Sequence, residues 1–177
     1  MKPERNFDLI ERAASFAEAA HSSIDQRRKH TNEPFIVHPK AVAELVSTVT
    51  DDEIAIAAAW LHDVVEDTPV SLDEIETEFG QEVCQLVQDL TNVTTLADGN
   101  RAKRLQLDRD RLASTDPRAQ TVKLADIICN VSDIAVQDPG YSERYAREKE
   151  LMLASLTDGD PRLYISAQRL LQSVIRG

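Results

Sequence analysis

The stretch Ile54-Ala55-Ile56-Ala57-Ala58-Ala59-Trp60-Leu61 runs straight into His62-Asp63-Val64-Val65-Glu66-Asp67. A His-Asp dyad at the end of so apolar a run is costly to bury unless something pairs with it. Two other apolar runs are broken in the same way. His38 follows Phe35-Ile36-Val37, and Asp126 interrupts Val122-Lys123-Leu124-Ala125-Asp126-Ile127-Ile128. Two imidazoles and two carboxylates, His38, His62, Asp63 and Asp126, form a natural ligand set for one divalent metal ion. The plainer alternative is a polar core satisfied by internal hydrogen bonds. Neighbouring helical residues point about 100° apart, so His62 and Asp63 can grip an ion from two sides of a helix end. His38 and Asp126 must then arrive from other helices, which sets the site inside a bundle.

Spacing adds a second layer. Glu66 lies four residues after His62, and Asp67 four after Asp63, so both acids project near the same point one turn on. There they can orient or deprotonate an attacking water. The bland reading is an exposed helix C-terminus before Thr68-Pro69, but acids there oppose the helix dipole. Asn130, four residues after Asp126, can hydrogen-bond a ligand or a metal-binding group. His21 and His30 lack such a setting and read as surface residues. Cys84 and Cys129 each sit in an apolar helical pattern outside any CxxC pair, and read as buried structural thiols.

The elements that must position these residues are helical. No segment alternates long enough to make a strand, so the fold class is all-α, one bundle of about eight to ten helices. The first helix spans about 8–22, with Ile10, Ala13, Ala14, Ala17 and Ala20 on one stripe. Residues 25–34 are too charged to be core. His38-Pro39 opens a helix. Asp51 or Asp52 caps the next, through Val65. Ser71-Leu72-Asp73-Glu74 reads as a capping box for a short helix ending near Gly80. Val83, Leu86, Val87 and Leu90 mark another. The charged stretch 98–111 reads as helical and exposed, and 119–134 as a buried helix. Two amphipathic helices follow, at about 142–156 and 161–175, and no linker divides the 177 residues.

Composition limits the partners. The net charge is −11, which argues against general nucleic-acid binding. A small anion needs only a local cluster of Lys and Arg, or a metal. No apolar run is long enough to span a bilayer, and no signal region opens the chain. A cytoplasmic location is the default expectation, and nothing speaks to oligomeric state.

Taken together, His38-Pro39, His62-Asp63-Val64-Val65-Glu66-Asp67-Thr68 and Lys123-Leu124-Ala125-Asp126 with Asn130 resemble the signature pieces of the RelA/SpoT-type HD hydrolase domain. Glu33-Pro34-Phe35-Ile36-Val37-His38 is similar to that family's approach to its first ligand, and Phe79-Gly80 with Val83, Leu86-Val87 and Leu90-Thr91 also fits. The likeness covers about residues 27–133, and Lys103-Arg104-Leu105-Gln106 looks more like the stand-alone small alarmone hydrolases. The resemblance implies about ten helices, an Mn²⁺ ion, and removal of the 3′-diphosphate of a nucleotide alarmone as pyrophosphate. It implies His38, His62, Asp63 and Asp126 as metal ligands and Glu66 and Asp67 as the water-activating pair. It also implies Arg28 and Lys29 on the base or phosphates, Asn130 at the nucleoside, Lys103 and Arg104 at phosphates, and Tyr145 flanking the nucleotide.

The sequence departs from the long enzymes of that family at three positions. Ile127 and Cys129 stand where those enzymes have Arg and His, and Asp133 where they have Thr. These departures leave the metal chemistry intact and leave the choice between guanosine and adenosine open. Two competing readings remain. One is a phosphatase taking a single phosphate from NADPH or a nucleoside monophosphate, and the other is a sensor that binds alarmone without cleaving it.

Overall fold

The computed structural model describes residues 7–177, with side chains from Leu9 onward. The stretch Met1–Arg5 lies outside the described residues. Among the described residues there are ten α-helices and one 3₁₀ turn, and no β-strand. In order they are α1 (Phe7–Ser23), α2 (Val37–Ser47), α3 (Glu53–Leu61), α4 (Val64–Asp67), α5 (Leu72–Phe79) and α6 (Gln81–Leu90). The 3₁₀ turn (Leu96–Asp98), α7 (Arg101–Leu112), α8 (Pro117–Gln137), α9 (Pro139–Leu153) and α10 (Pro161–Arg176) follow. The all-α expectation holds.

Helix α3 is the hub. Ala55 to Ala59 and Leu61 are buried, because α1, α2, α6 and α8 surround it. Its small side chains allow that close approach on several faces. Of the two candidate caps, Asp52 makes the bonds, accepting from the Ile54 and Ala55 amides at 2.9 and 3.3 Å. Helix α8 is the second pillar and packs on α2, α3, α6, α9 and α10. The predicted capping box is present: Ser71 Oγ accepts from the Glu74 amide (3.2 Å) and Glu74 accepts from the Ser71 amide (2.8 Å).

Three expectations change. The helix begun at Asp52 does not run to Val65 but stops at Leu61, and α4 restarts at Val64. The cause is local competition. His62 Nδ1 takes the Ala59 carbonyl at 2.7 Å, the acceptor that the Asp63 amide would need to continue the helix. The charged stretch is also divided. Gly99, at φ +116°, separates the 3₁₀ turn from α7, which Asn100 caps through the Lys103 amide (3.0 Å). This helix is not wholly exposed, for Asp108 and Leu112 face inward. His21 is not a surface residue. It is 1% exposed, because it follows Ala17 by one turn on the inner stripe of α1, while His30 is exposed as expected. Cys84 is buried and Cys129 half-buried.

Candidate metal centre and nucleotide pocket

Three separate elements bring the predicted ligands together. His38 stands in the first turn of α2, His62 and Asp63 fill the break between α3 and α4, and Asp126 lies mid-way along α8. The imidazole Nε2 atoms of His38 and His62 lie 3.2 and 3.8 Å from Asp126 Oδ1. The same atoms lie 3.6 and 3.1 Å from Asp63 Oδ2. Ligand atoms of His38, His62 and Asp126 all fall within 4.8 Å of one another. Because His62 Nδ1 donates to the Ala59 carbonyl, its Nε2 carries the free lone pair, as a metal-binding histidine requires. That Nε2 is buried and makes no hydrogen bond. An unpaired lone pair among two carboxylates is what a cation would satisfy, so these residues fit a divalent ion.

The electrostatics agree. Burial opposes charge on His62, but the Asp63 and Asp126 carboxylates outweigh it and raise the group to about 9. Burial would likewise raise Asp126, yet the Lys123 ammonium and the two imidazoles hold it well below the usual carboxylate range. The Lys123 ammonium lies 2.8 Å from Asp126 Oδ2. The cluster therefore demands positive charge, and without a metal a proton on His62 supplies part of it.

Glu66 and Asp67 both lie on α4, at the mouth of the cluster and exposed. Each is tethered by a residue that the sequence did not single out. Asn92 donates to Glu66 from its amide (3.2 Å) and its side chain (3.0 Å). Gln26 donates to Asp67 Oδ2 at 2.8 Å. Desolvation and the Asp63 charge push Asp67 above its ordinary value, and Gln26 opposes them.

A cavity of about 250 Å³ adjoins the cluster, lined by Arg28, Lys29, Phe35, Asn130 and Asp133 among others. Asn130 connects the two, since its Nδ2 donates to Asp126 Oδ1 at 2.5 Å. Its Oδ1 lies 3.5 Å from the Arg28 guanidinium. Arg28 also pairs with Asp133 at 2.6 Å and sits 5.8 Å above the Phe35 ring. The loop carrying Arg28 and Lys29 is a tight hairpin, closed by bonds from the Arg28 amide to the Glu33 carbonyl and from the Phe35 amide to the Gln26 carbonyl.

Tyr145, half-buried on α9, is under the electrostatic influence of Asp126 and Arg28, and burial raises its hydroxyl. Lys103 and Arg104 are not joined to this constellation by any described bond. The Arg104 guanidinium instead donates to the Gly99 carbonyl at 2.7 Å. Two other basic residues meet α9 beside Tyr145. Lys149 lies 5.1 Å over its ring, and burial together with the Lys123 charge lowers Lys149 to about 8. Arg101 grips Glu148 of the same helix at 2.6 and 3.1 Å. Sequence carried a signal for Lys149, one turn after Tyr145, but none for Arg101 over its neighbours.

Residues 13–158 match the family described as HD domain. The chain belongs to the HD domain family, in the branch that holds the MESH1 proteins. MESH1 of Xenopus tropicalis, a guanosine-3′,5′-bis(diphosphate) 3′-pyrophosphohydrolase, is 41% identical over 145 residues, 79% of this chain and 78% of that protein. Human MESH1 is 41% identical over 140 residues, 77% and 75% of the two chains. A probable guanosine-3′,5′-bis(diphosphate) 3′-pyrophosphohydrolase of Synechocystis is 37% identical over 153 residues, 85% of this chain but only 20% of that protein. The chain thus spans about a fifth of that long relative and about three quarters of the small ones. Among solved structures, a metazoan ortholog of SpoT that hydrolyzes ppGpp superposes with a TM-score of 0.84 at 27% identity, over 100% of this chain and 98% of that one.

Proposed function

We propose that the chain is a divalent-metal-dependent 3′-pyrophosphohydrolase of guanosine alarmones, releasing pyrophosphate and leaving a 3′-hydroxyl. The observation that carries this reading is the sharing of Asp126 between the two halves of the site. One of its oxygens is approached by both imidazoles and by Asn130, so a nucleoside in the adjoining cavity would present its ribose phosphates to the cluster. The names of the small relatives support the guanosine alarmone as substrate.

His38, His62, Asp63 and Asp126 would hold the ion, and we take it to be Mn²⁺. When bound, the ion supplies Lewis-acid stabilisation of phosphoryl charge and makes water more acidic. Glu66 and Asp67 orient the attacking water and accept its proton. Arg28 and Lys29 hold the nucleotide at the cavity mouth, with Asn130 at the ribose and Tyr145 on the far flank. Lys123 and Lys149 add positive charge beside Asp126, which favours a polyanion despite the net charge of −11. Lys103 and Arg104 remain assigned to outer phosphates. The same architecture suits a soluble nucleotide as ligand, and no described helix is long and apolar enough to cross a membrane.

The test is hydrolysis of guanosine and adenosine 3′-diphosphate alarmones and of NADPH, with Mn²⁺ and with other divalent ions, resolved by anion exchange. Pyrophosphate from the guanosine alarmone, fastest with Mn²⁺, is expected. Orthophosphate as the only product would replace this reading with a phosphatase.

A further inference from the structure

We propose that His21 and Gln26 are positioning residues that fix the Asp67 carboxylate at the mouth of the metal cluster. The inference rests on the acid–base role given to Asp67 above.

Gln26 is held at every polar atom. Its amide donates to the His21 carbonyl at 3.1 Å, and its carbonyl accepts from the Phe35 amide at 3.0 Å. Its side-chain Oε1 lies 2.6 Å from His21 Nδ1, and Nε2 donates to Asp67 Oδ2 at 2.8 Å. The chemistry fixes the direction of this chain. A carboxylate only accepts, so the NH₂ of Gln26 must face Asp67 and its oxygen must face His21. His21 Nδ1 must therefore carry the proton. Its Nε2 is buried without a partner, which agrees with a neutral ring, and burial lowers its pKa. The ring is clamped on Phe35, with centroids 4.7 Å apart.

Asp67 needs such a clamp. It ends a four-residue helix, too short to hold a side chain by its own packing. Helix α1 touches α4 directly, so a buried residue of α1 can serve as a rigid anchor. His21 and Gln26 then set where Asp67 points, and Gln26 favours its ionised, proton-accepting form. Neither residue touches the reacting atoms.

Kinetics and NMR on the metal-loaded full chain test this. With the guanosine alarmone, Gln26→Ala should lower kcat roughly 10- to 100-fold, since misplacing a catalytic group by about 1 Å costs about 10². KM and metal content should stay unchanged. Gln26→Ala added to Asp67→Ala should cost nothing more, because both act through one group. His21→Asn, which keeps a donor at the Nδ1 position, should retain most of the rate, whereas His21→Gln should not. Nitrogen shifts of His21 should report the Nδ1–H tautomer near neutral pH. Additive losses, a KM effect alone, an undiminished rate for Asp67→Ala, or an Nε2–H tautomer would overturn the proposal. If the wild-type chain leaves the alarmone uncut, the functional reading falls by itself. The tautomer and its response to Asp67→Ala then decide whether the clamp exists.

Discussion

Lys123 is the residue whose replacement separates the metal cluster's two possible cations. Its ammonium lies 2.8 Å from Asp126 Oδ2, with side chains 11% and 6% exposed. At an effective dielectric of about 20, that distance gives about 6 kcal/mol of gross attraction. Desolvation removes much of it, and deleting one partner of such a buried pair costs about 3–5 kcal/mol. Lys123→Met keeps the apolar stem and deletes only the charge. In metal-free protein the loss should appear in full, a fall in Tm of about 6–20 °C at 2–4 °C per kcal/mol. In metal-loaded protein Asp126 still faces a cation, so the loss should shrink to about 1 kcal/mol. The cycle must close, so the difference of about 3 kcal/mol reappears as metal binding roughly 10²-fold tighter. Scanning calorimetry with and without chelator, beside a direct metal titration, measures both sides. Equal losses in the two states with unchanged metal affinity would refute the argument and reduce Lys123 to a packing residue.

Other perturbations probe separate parts. Asp63→Ala removes a carboxylate that lies within 3.6 Å of both imidazoles and should abolish metal retention and turnover together, as metal analysis by mass spectrometry would show. His62 is raised to about 9 in the fold from about 6.5 when unfolded. Its contribution to metal-free stability is therefore complete below pH ~6.5 and lost as pH rises through about 9. Metal affinity should increase over that same interval, and a pH series of melting curves with and without ion checks both directions. Arg28→Ala should raise KM roughly tenfold or more, the value of a charge-assisted contact, while metal content holds. At Gly159 an added Cβ would lie 2.7 Å from Leu124 Cδ1 and 3.2 Å from the α8 backbone. Gly159→Ala should thus cost about 1–3 kcal/mol by overpacking, read as a lower denaturation midpoint with an unchanged m-value.

Much of the site was legible because burial makes polar residues conspicuous. His62, Asp63 and Asp126 stand out against apolar neighbours whose helical period is plain, and the same contrast placed His38. The residues that were missed are polar too, but their role depends on contacts distant in sequence. Gln26 reaches Asp67 across 41 positions and Asn92 reaches Glu66 across 26, and helical periodicity carries no record of either. His21 did leave a trace, one turn after Ala17 on the inner stripe, the same sign that marked Asp126. The break at His62 could not be read from periodicity, because it comes from a side chain competing for a backbone carbonyl. Arg101 and not Lys103 or Arg104 meets α9 because Gly99 and Asn100 set the start of α7, a matter of loop geometry.

The two halves of the chemistry have different mechanical support. The proposed ligands sit on or beside α2, α3 and α8, whose flanking residues Val42, Leu61 and Leu124 are wholly buried. Their geometry should persist until the fold itself unfolds. Glu66 and Asp67 sit on a single turn of helix and are held by Asn92 and Gln26, both from loops. Hydrogen bonds at a surface exchange readily with water and each contributes only about 0.5–1.5 kcal/mol. Conditions that loosen residues 25–35 or the segment after α6 should therefore silence catalysis while the metal stays bound. On warming, turnover should fail before metal release, and metal release should coincide with global unfolding.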